Sequence, residues 1–170
     1  TIREYVKKYP DLNIIHFDAH TDLRDEFLGR ELSHATVLKK CYEMLKSGTL
    51  YQFGIRSGDK EEFEWAKTHI HQRKFDLVGL DKCVEELKDK PVYITIDLDV
   101  LDPSIFPGTG TPEAGGVTFK ELEDAILTMR GLNNIVGADM VELSPDYDSS
   151  HVSTQGACKV LRGLTLLLHH

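Results

Sequence analysis

The chain has 170 residues, of which 41% are hydrophobic and 28% charged, and this describes one domain (residues 1–170) with a real core rather than a disordered segment. Its net charge of −8 argues against a nucleic-acid partner and suits a small cationic molecule drawn to an acidic cleft. No run reaches the roughly 18 apolar residues of a membrane span, and the widely spaced Cys41, Cys83 and Cys158 form no CxxC pair, which points to a reducing, cytoplasmic setting.

The opening TIREYVKKYPDLN reads as part of a helix and not as a signal peptide. Short β-rich runs then alternate with helical segments. Strands are expected at 12–17, 50–55, 77–80, 92–96 and 135–141, and helices at 33–46, 60–73, 84–88, 118–129 and 153–168. Ser33 is an N-cap candidate, and Thr118 with Glu121 forms a capping box. Continuous apolar strands separated by helices predict a mainly parallel sheet covered on both faces. Ligands of such sheets sit beyond the carboxyl ends of the strands. The stretch LDPSIFPGTGTPEAGG, residues 101–116, is the longest irregular segment, and its Pro and Gly content predicts a shaped loop at the rim of a site.

Two strands end in acid. IIHFDAHTDLRD runs into Asp18, His20 and Asp22, and VYITIDLDVLDP runs into Asp97 and Asp99. Period-two alternation places Asp18 with His20, and Asp97 with Asp99, on common faces. If the two strands are neighbours, four carboxylates meet in one small volume, where they repel unless protons or cations neutralise them. Divalent cations satisfy that requirement. Four aspartates and one histidine exceed what a single ion with an open place for water would take, so two ions about 3.5–4 Å apart are expected, with Asp18 and Asp97 bridging. Oxygen-rich, thiolate-free ligation with one histidine suits Mn²⁺, with Fe²⁺, Co²⁺ or Zn²⁺ as alternatives and Ca²⁺ disfavoured. His16 reads as a core histidine. His69 and His71, placed on one helix two residues apart, would not share a face and are not expected to bind metal. Asp139 carries no assigned role.

The segments FDAHTD, SHAT, IDLDVLDPSIFPGTGTPEAGG and VELSPDYD together resemble the ureohydrolase family, whose best-known members are arginase and agmatinase. The resemblance spans nearly the whole chain. It implies a three-layer α/β/α fold and hydrolysis of a guanidinium to urea and an amine with two Mn²⁺ ions. It implies that Asp18 and Asp97 bridge the metals, that His20 and Asp99 bind one ion and Asp22 the other. It also implies that His34 shuttles a proton and that Glu142 orients the substrate guanidinium. GTGTPEAGG and SPDYD are most similar to the agmatinase branch, which makes agmatine the first substrate expected, ahead of arginine and guanidinobutyrate. A homo-oligomer is implied as well. No Gly-Gly-Asp-His segment occurs; its place would precede Thr1, so the chain reads as the carboxyl-terminal part of a longer enzyme whose first strands are missing. The rival readings are a mononuclear zinc deacetylase of the same fold and a non-catalytic metal-binding fragment.

Overall fold

The computed structural model describes residues 1–169; His170 lies outside the described residues. Five strands form one sheet: β1 (Asn13–Phe17), β2 (Leu50–Ile55), β3 (His71–Lys74), β4 (Val92–Asp97) and β5 (Ile135–Val141). Their order is β3-β2-β1-β4-β5, and every pair is parallel. Parallel neighbours need crossover connections, which are here helices. The helices are α1 (Ile2–Lys8), α2 (Val37–Met44), α3 (Lys60–His69), α4 (Leu80–Leu87), α5 (Phe119–Thr128) and α6 (Val152–Leu168).

The sheet is covered on both faces, giving the expected three layers. On one face Ile15, Phe17, Phe53, Ile94 and Ile96 pack against α4, α5 and α6 through Val84, Leu122 and Val160. On the other, Ile14 and Leu50 meet Leu38 and Cys41 of α2 and Ala66 of α3. Val6 of α1 packs there too, against Leu12 and Tyr93. Every residue of β1 and β2 is buried, as two-sided burial of near-continuous apolar strands demands. The Thr118–Glu121 capping box opens α5.

Three expectations need correction. The strand expected at 77–80 is instead the turn leading into α4, which begins at Leu80 rather than 84. The strand lies earlier, at His71–Lys74, and α3 accordingly stops at His69 rather than 73. The physical reason is that β3 is an edge strand with a largely exposed surface, so it needs no apolar pattern; polar and charged side chains guard such an edge against further pairing. The helix expected at 33–46 opens as a 3₁₀ turn, His34–Thr36, before α2 proper.

At the edge of the future site, β2 comes close to the turn after β4. Gly54 has φ +86°, and a Cβ placed there would lie 2.5 Å from Val100 Cγ2 and 3.2 Å from the Asp18 carbonyl oxygen. Left-handed strain and overpacking then add. Gly54→Ala is expected to lower the unfolding free energy by about 2–4 kcal/mol in a urea titration; a loss below measurement error would contradict the close approach.

Candidate metal centre

Strands β1 and β4 are direct neighbours, with Phe17 opposite Ile96. Their next residues, Asp18 and Asp97, therefore emerge side by side at the carboxyl edge of the sheet. The chain leaves both strands at once. After β4 a 3₁₀ turn, Leu98–Val100, takes over, and the Asp97 side chain caps it by accepting the Asp99 N–H at 2.9 Å. Asp99 is thus aimed by a turn and not by strand alternation, a correction to the simple face argument.

The second members of the two pairs, His20 and Asp99, tie the two segments together. The Ala19 N–H donates to Asp99 Oδ1 at 3.1 Å. His20 turns its Nδ1 toward Asp99 Oδ2 at 3.0 Å and toward Asp18 Oδ1 at 3.4 Å. Ligand atoms of Asp18, His20 and Asp99 all lie within 4.8 Å of one another. Asp18 is 1% exposed and Asp99 1%, so solvent does little to spread their charge.

Two further networks hold the segment after β1. His16, buried on the Asp18 side of β1, places Nε2 2.9 Å from Asp18 Oδ2. Its Nδ1 faces the Gln52 amide nitrogen at 3.2 Å. With that amide donating, the His16 proton sits on Nε2 and points at Asp18. The expectation of a merely packed histidine is therefore too modest, since His16 orients a site carboxylate. Buried Glu62 accepts from Thr21 Oγ1 at 2.5 Å and from the Leu23 N–H at 2.8 Å, which brackets Asp22. Asp22 itself adopts φ 54°, and Glu142, just past β5, adopts φ 64°. Left-handed backbone at two non-glycine positions costs roughly 1–3 kcal/mol each and tends to occur where a side chain must be aimed.

All seven residues singled out in the sequence, Asp18, His20, Asp22, His34, Asp97, Asp99 and Glu142, line one cavity of about 250 Å³. His34 stands exposed at its rim, with its ring edge-on to Phe27 at 5.2 Å. Glu142 is also exposed. His69 and His71 fall outside the cavity, and not for the reason expected: His69 ends α3 and stacks on Trp65, while His71 opens β3 and stacks on Tyr51. Asp139 accepts hydrogen bonds from Tyr93 Oη at 2.8 Å and Thr95 Oγ1 at 2.6 Å.

Charge in the cavity is unbalanced. Burial, reinforced by the Asp18 carboxylate, pushes Asp22 up to about 8. Burial, then Asp18 and Asp99, pushes Asp97 up to about 10. Asp99 is raised for the same reasons despite its contact with His20. Burial would raise Asp18 too, but hydrogen bonds from His16 and His20 outweigh it and hold the group far below the usual carboxylate range. Asp18 and Asp99 together raise His20 to about 11. The donor set is one that divalent cations satisfy: several carboxylate oxygens and one imidazole, converging and mutually repelling. The residues present fit a divalent cation, with Asp18, His20 and Asp99 as the converging donors.

An α/β/α protein with a carboxylate–histidine cluster able to hold metal across the carboxyl ends of neighbouring parallel strands is the class defined by this geometry. Within that class the chain belongs to the arginase family, whose model matches residues 1–167. It is 52% identical to an agmatinase of Bacillus anthracis over 163 residues, 94% of this chain and 56% of that protein. It is 49% identical to an agmatinase of Bacillus subtilis (strain 168) over 168 residues, 97% of this chain and 58% of that protein. Among solved structures, the proclavaminate amidino hydrolase of Streptomyces clavuligerus superposes with a TM-score of 0.87 at 28% identity, covering 98% of this chain and 59% of that one. The chain thus spans a little over half the length of the curated relatives it matches.

The raised groups set a sign for stability. Asp22 and Asp97 keep protons in the folded protein that the unfolded chain has released above about pH 3.8. The folded state therefore loses ground as pH rises toward about 8 and about 10. The His20 contribution is full below 6.5 and is lost as pH rises through about 11, which is the same direction. The opposite effect of Asp18 is confined to pH below 3.8. In chelator, the melting temperature is expected to fall between about pH 5 and pH 9, and saturating Mn²⁺ should shrink that fall. A melting temperature that rises over this range in chelator would contradict the charge imbalance.

Proposed function

We propose that the protein is a ureohydrolase acting on a small cationic guanidino compound, with agmatine and water giving putrescine and urea as the first choice, and that two Mn²⁺ ions are its cofactors. The observation that carries this reading is the single cavity in which all seven sequence-derived residues meet, in a chain about 50% identical to agmatinases. Asp18 and Asp97 would be shared by both ions, His20 and Asp99 would hold one, and Asp22 the other. When bound, the ions supply Lewis acidity and bring the pKa of water near neutrality.

The chain's own groups do the rest. Glu142, at the mouth of the cavity, offers a carboxylate fork to a planar guanidinium, which fixes the orientation of the carbon to be attacked. Asp22, in the cavity wall, would accept a hydrogen bond from the attacking water and so orient it toward the guanidinium carbon. His34, exposed at the rim, gives a proton to the departing amine as the C–N bond breaks. The acidic lining disfavours anions and draws in a dication such as agmatine. The same reading takes the protein to be a cytoplasmic homo-oligomer of polyamine synthesis. Its three cysteines are free thiols, in keeping with a reducing compartment.

Urea release in the presence of Mn²⁺ tests this, with agmatine, arginine and 4-guanidinobutyrate compared. Agmatine should give the highest kcat/KM. His34→Asn should lower kcat by about 10²–10⁴-fold with little change in KM, while Glu142→Gln should raise KM more than it lowers kcat. No urea from any of the three substrates, with metal bound, would contradict the reading.

A further inference from the structure

Arg56 follows β2 and is placed unlike any other cation near the cavity. Strand β1 lies between β2 and β4, so a side chain reaching from β2 to the turn after β4 must cross the end of β1. The Arg56 guanidinium does so, and it meets only main-chain oxygens. Nη2 donates to Asp99 O at 2.7 Å, Glu113 O at 2.8 Å and, more weakly, Leu101 O at 3.4 Å. Nη1 donates to Gly54 O and Val100 O, both at 3.2 Å, and Nε donates to Glu113 O at 3.2 Å. Among the described residues it forms no ion pair, although Asp18, Asp99, Asp102 and Glu113 are near enough for their charge to act on it.

The loop that receives these bonds is shaped to allow them. Its base is closed by pairing of Leu101 with Val117. Asp102 accepts the N–H groups of Gly115 and Gly116 at 2.8 and 3.0 Å. A Cβ on Gly116 would lie 2.5 Å from Asp102 N, 2.6 Å from Leu101 C and 2.7 Å from Arg56 Nη2, so the adjoining backbone and the guanidinium together require glycine. The secured loop carries Thr111, whose hydroxyl approaches Asp99 Oδ2 at 3.4 Å. It also carries Glu113, whose Oε1 accepts from Ser57 Oγ at 3.0 Å and lies 3.9 Å from His20 Nε2. Imidazoles that ligate metals are commonly oriented by a carboxylate facing the far ring nitrogen.

We propose that Arg56 is a positioning residue of the metal centre: it clamps the main chain of Asp99 and of the Glu113-bearing loop, and leaves the site carboxylates free for cations. The proposal rests on the two-cation reading above. A planar fork with five donors can span several carbonyls at once, whereas a lysine offers one point of charge. Cutting the clamp releases Asp99 and the group that faces His20 without removing any ligand.

The test is Mn²⁺ titration calorimetry on chelator-treated protein, comparing wild type, Arg56→Ala, Arg56→Lys and Glu113→Ala, with far-UV circular dichroism reporting the fold before metal is added. Arg56→Ala should retain the helical spectrum and bind Mn²⁺ about 10–100-fold more weakly. Arg56→Lys should recover only a minor part of that loss. Glu113→Ala, which leaves the clamped carbonyl in place, should weaken binding less than Arg56→Ala. Unchanged affinity in Arg56→Ala would overturn the proposal, as would full recovery by lysine, which would make charge alone sufficient. If Arg56→Ala does not fold, the lysine variant decides by the same criterion. Absence of Mn²⁺ uptake by wild type would instead overturn the two-cation reading and this proposal with it.

Discussion

Two neighbouring parallel strands end at the same level, and each ends in aspartate. With Phe17 opposite Ile96, the next residue on either strand is Asp18 or Asp97, and the pairing sets their main chains side by side. Two unit charges 4 Å apart interact by about 4 kcal/mol at an effective dielectric of 20. Half-buried Asp22 and buried Asp99 add to that in the wall of the same cavity. Backbone pairing therefore creates an electrostatic problem that the local side chains do not solve alone, since Asp97 is left holding a proton up to about pH 10.

The surroundings are built to hold the acids in place rather than to neutralise them. His16 and Gln52 aim Asp18; Glu62 holds the Thr21 hydroxyl and the Leu23 N–H on either side of Asp22; Arg56 grips carbonyls and no carboxylate. The positive φ at Asp22 and Glu142 adds strain where those side chains leave the chain. A region that accumulates unmet charge and backbone strain is less stable by itself than an apolar replacement would be. Such a cost is compatible with a fold whose free energy is completed by a bound cation pair.

Much of this was legible in the sequence. The central strands are short, mainly apolar runs buried on both faces, so they announce themselves, and the acidic residues at the ends of β1 and β4 follow at once. β3 was not legible, because an edge strand of His-Gln-Arg-Lys carries no apolar period and the neighbouring Leu77–Leu80 run is more strand-like than the strand itself. Nor was the role of His16: its partner Gln52 lies 36 residues away on β2, and only strand order brings them together. Arg56 was missed for a related reason. Its partners are main-chain carbonyls, which have no residue signature, and glycine at 116 is an ambiguous trace, since a side chain there would collide with the backbone of Leu101 and Asp102 as well as with the guanidinium. The Asp99 direction was anticipated but for the wrong cause, since a 3₁₀ turn and not strand alternation supplies it.

The claim on which the rest turns is that the acids after β1 and β4 share cations. Anomalous diffraction from crystals of the protein grown with Mn²⁺ tests it directly. The account predicts two peaks about 3.5–4 Å apart, both within bonding distance of the carboxylates of Asp18 and Asp97. A map with no peak between those two side chains, at full Mn²⁺ saturation, would contradict it.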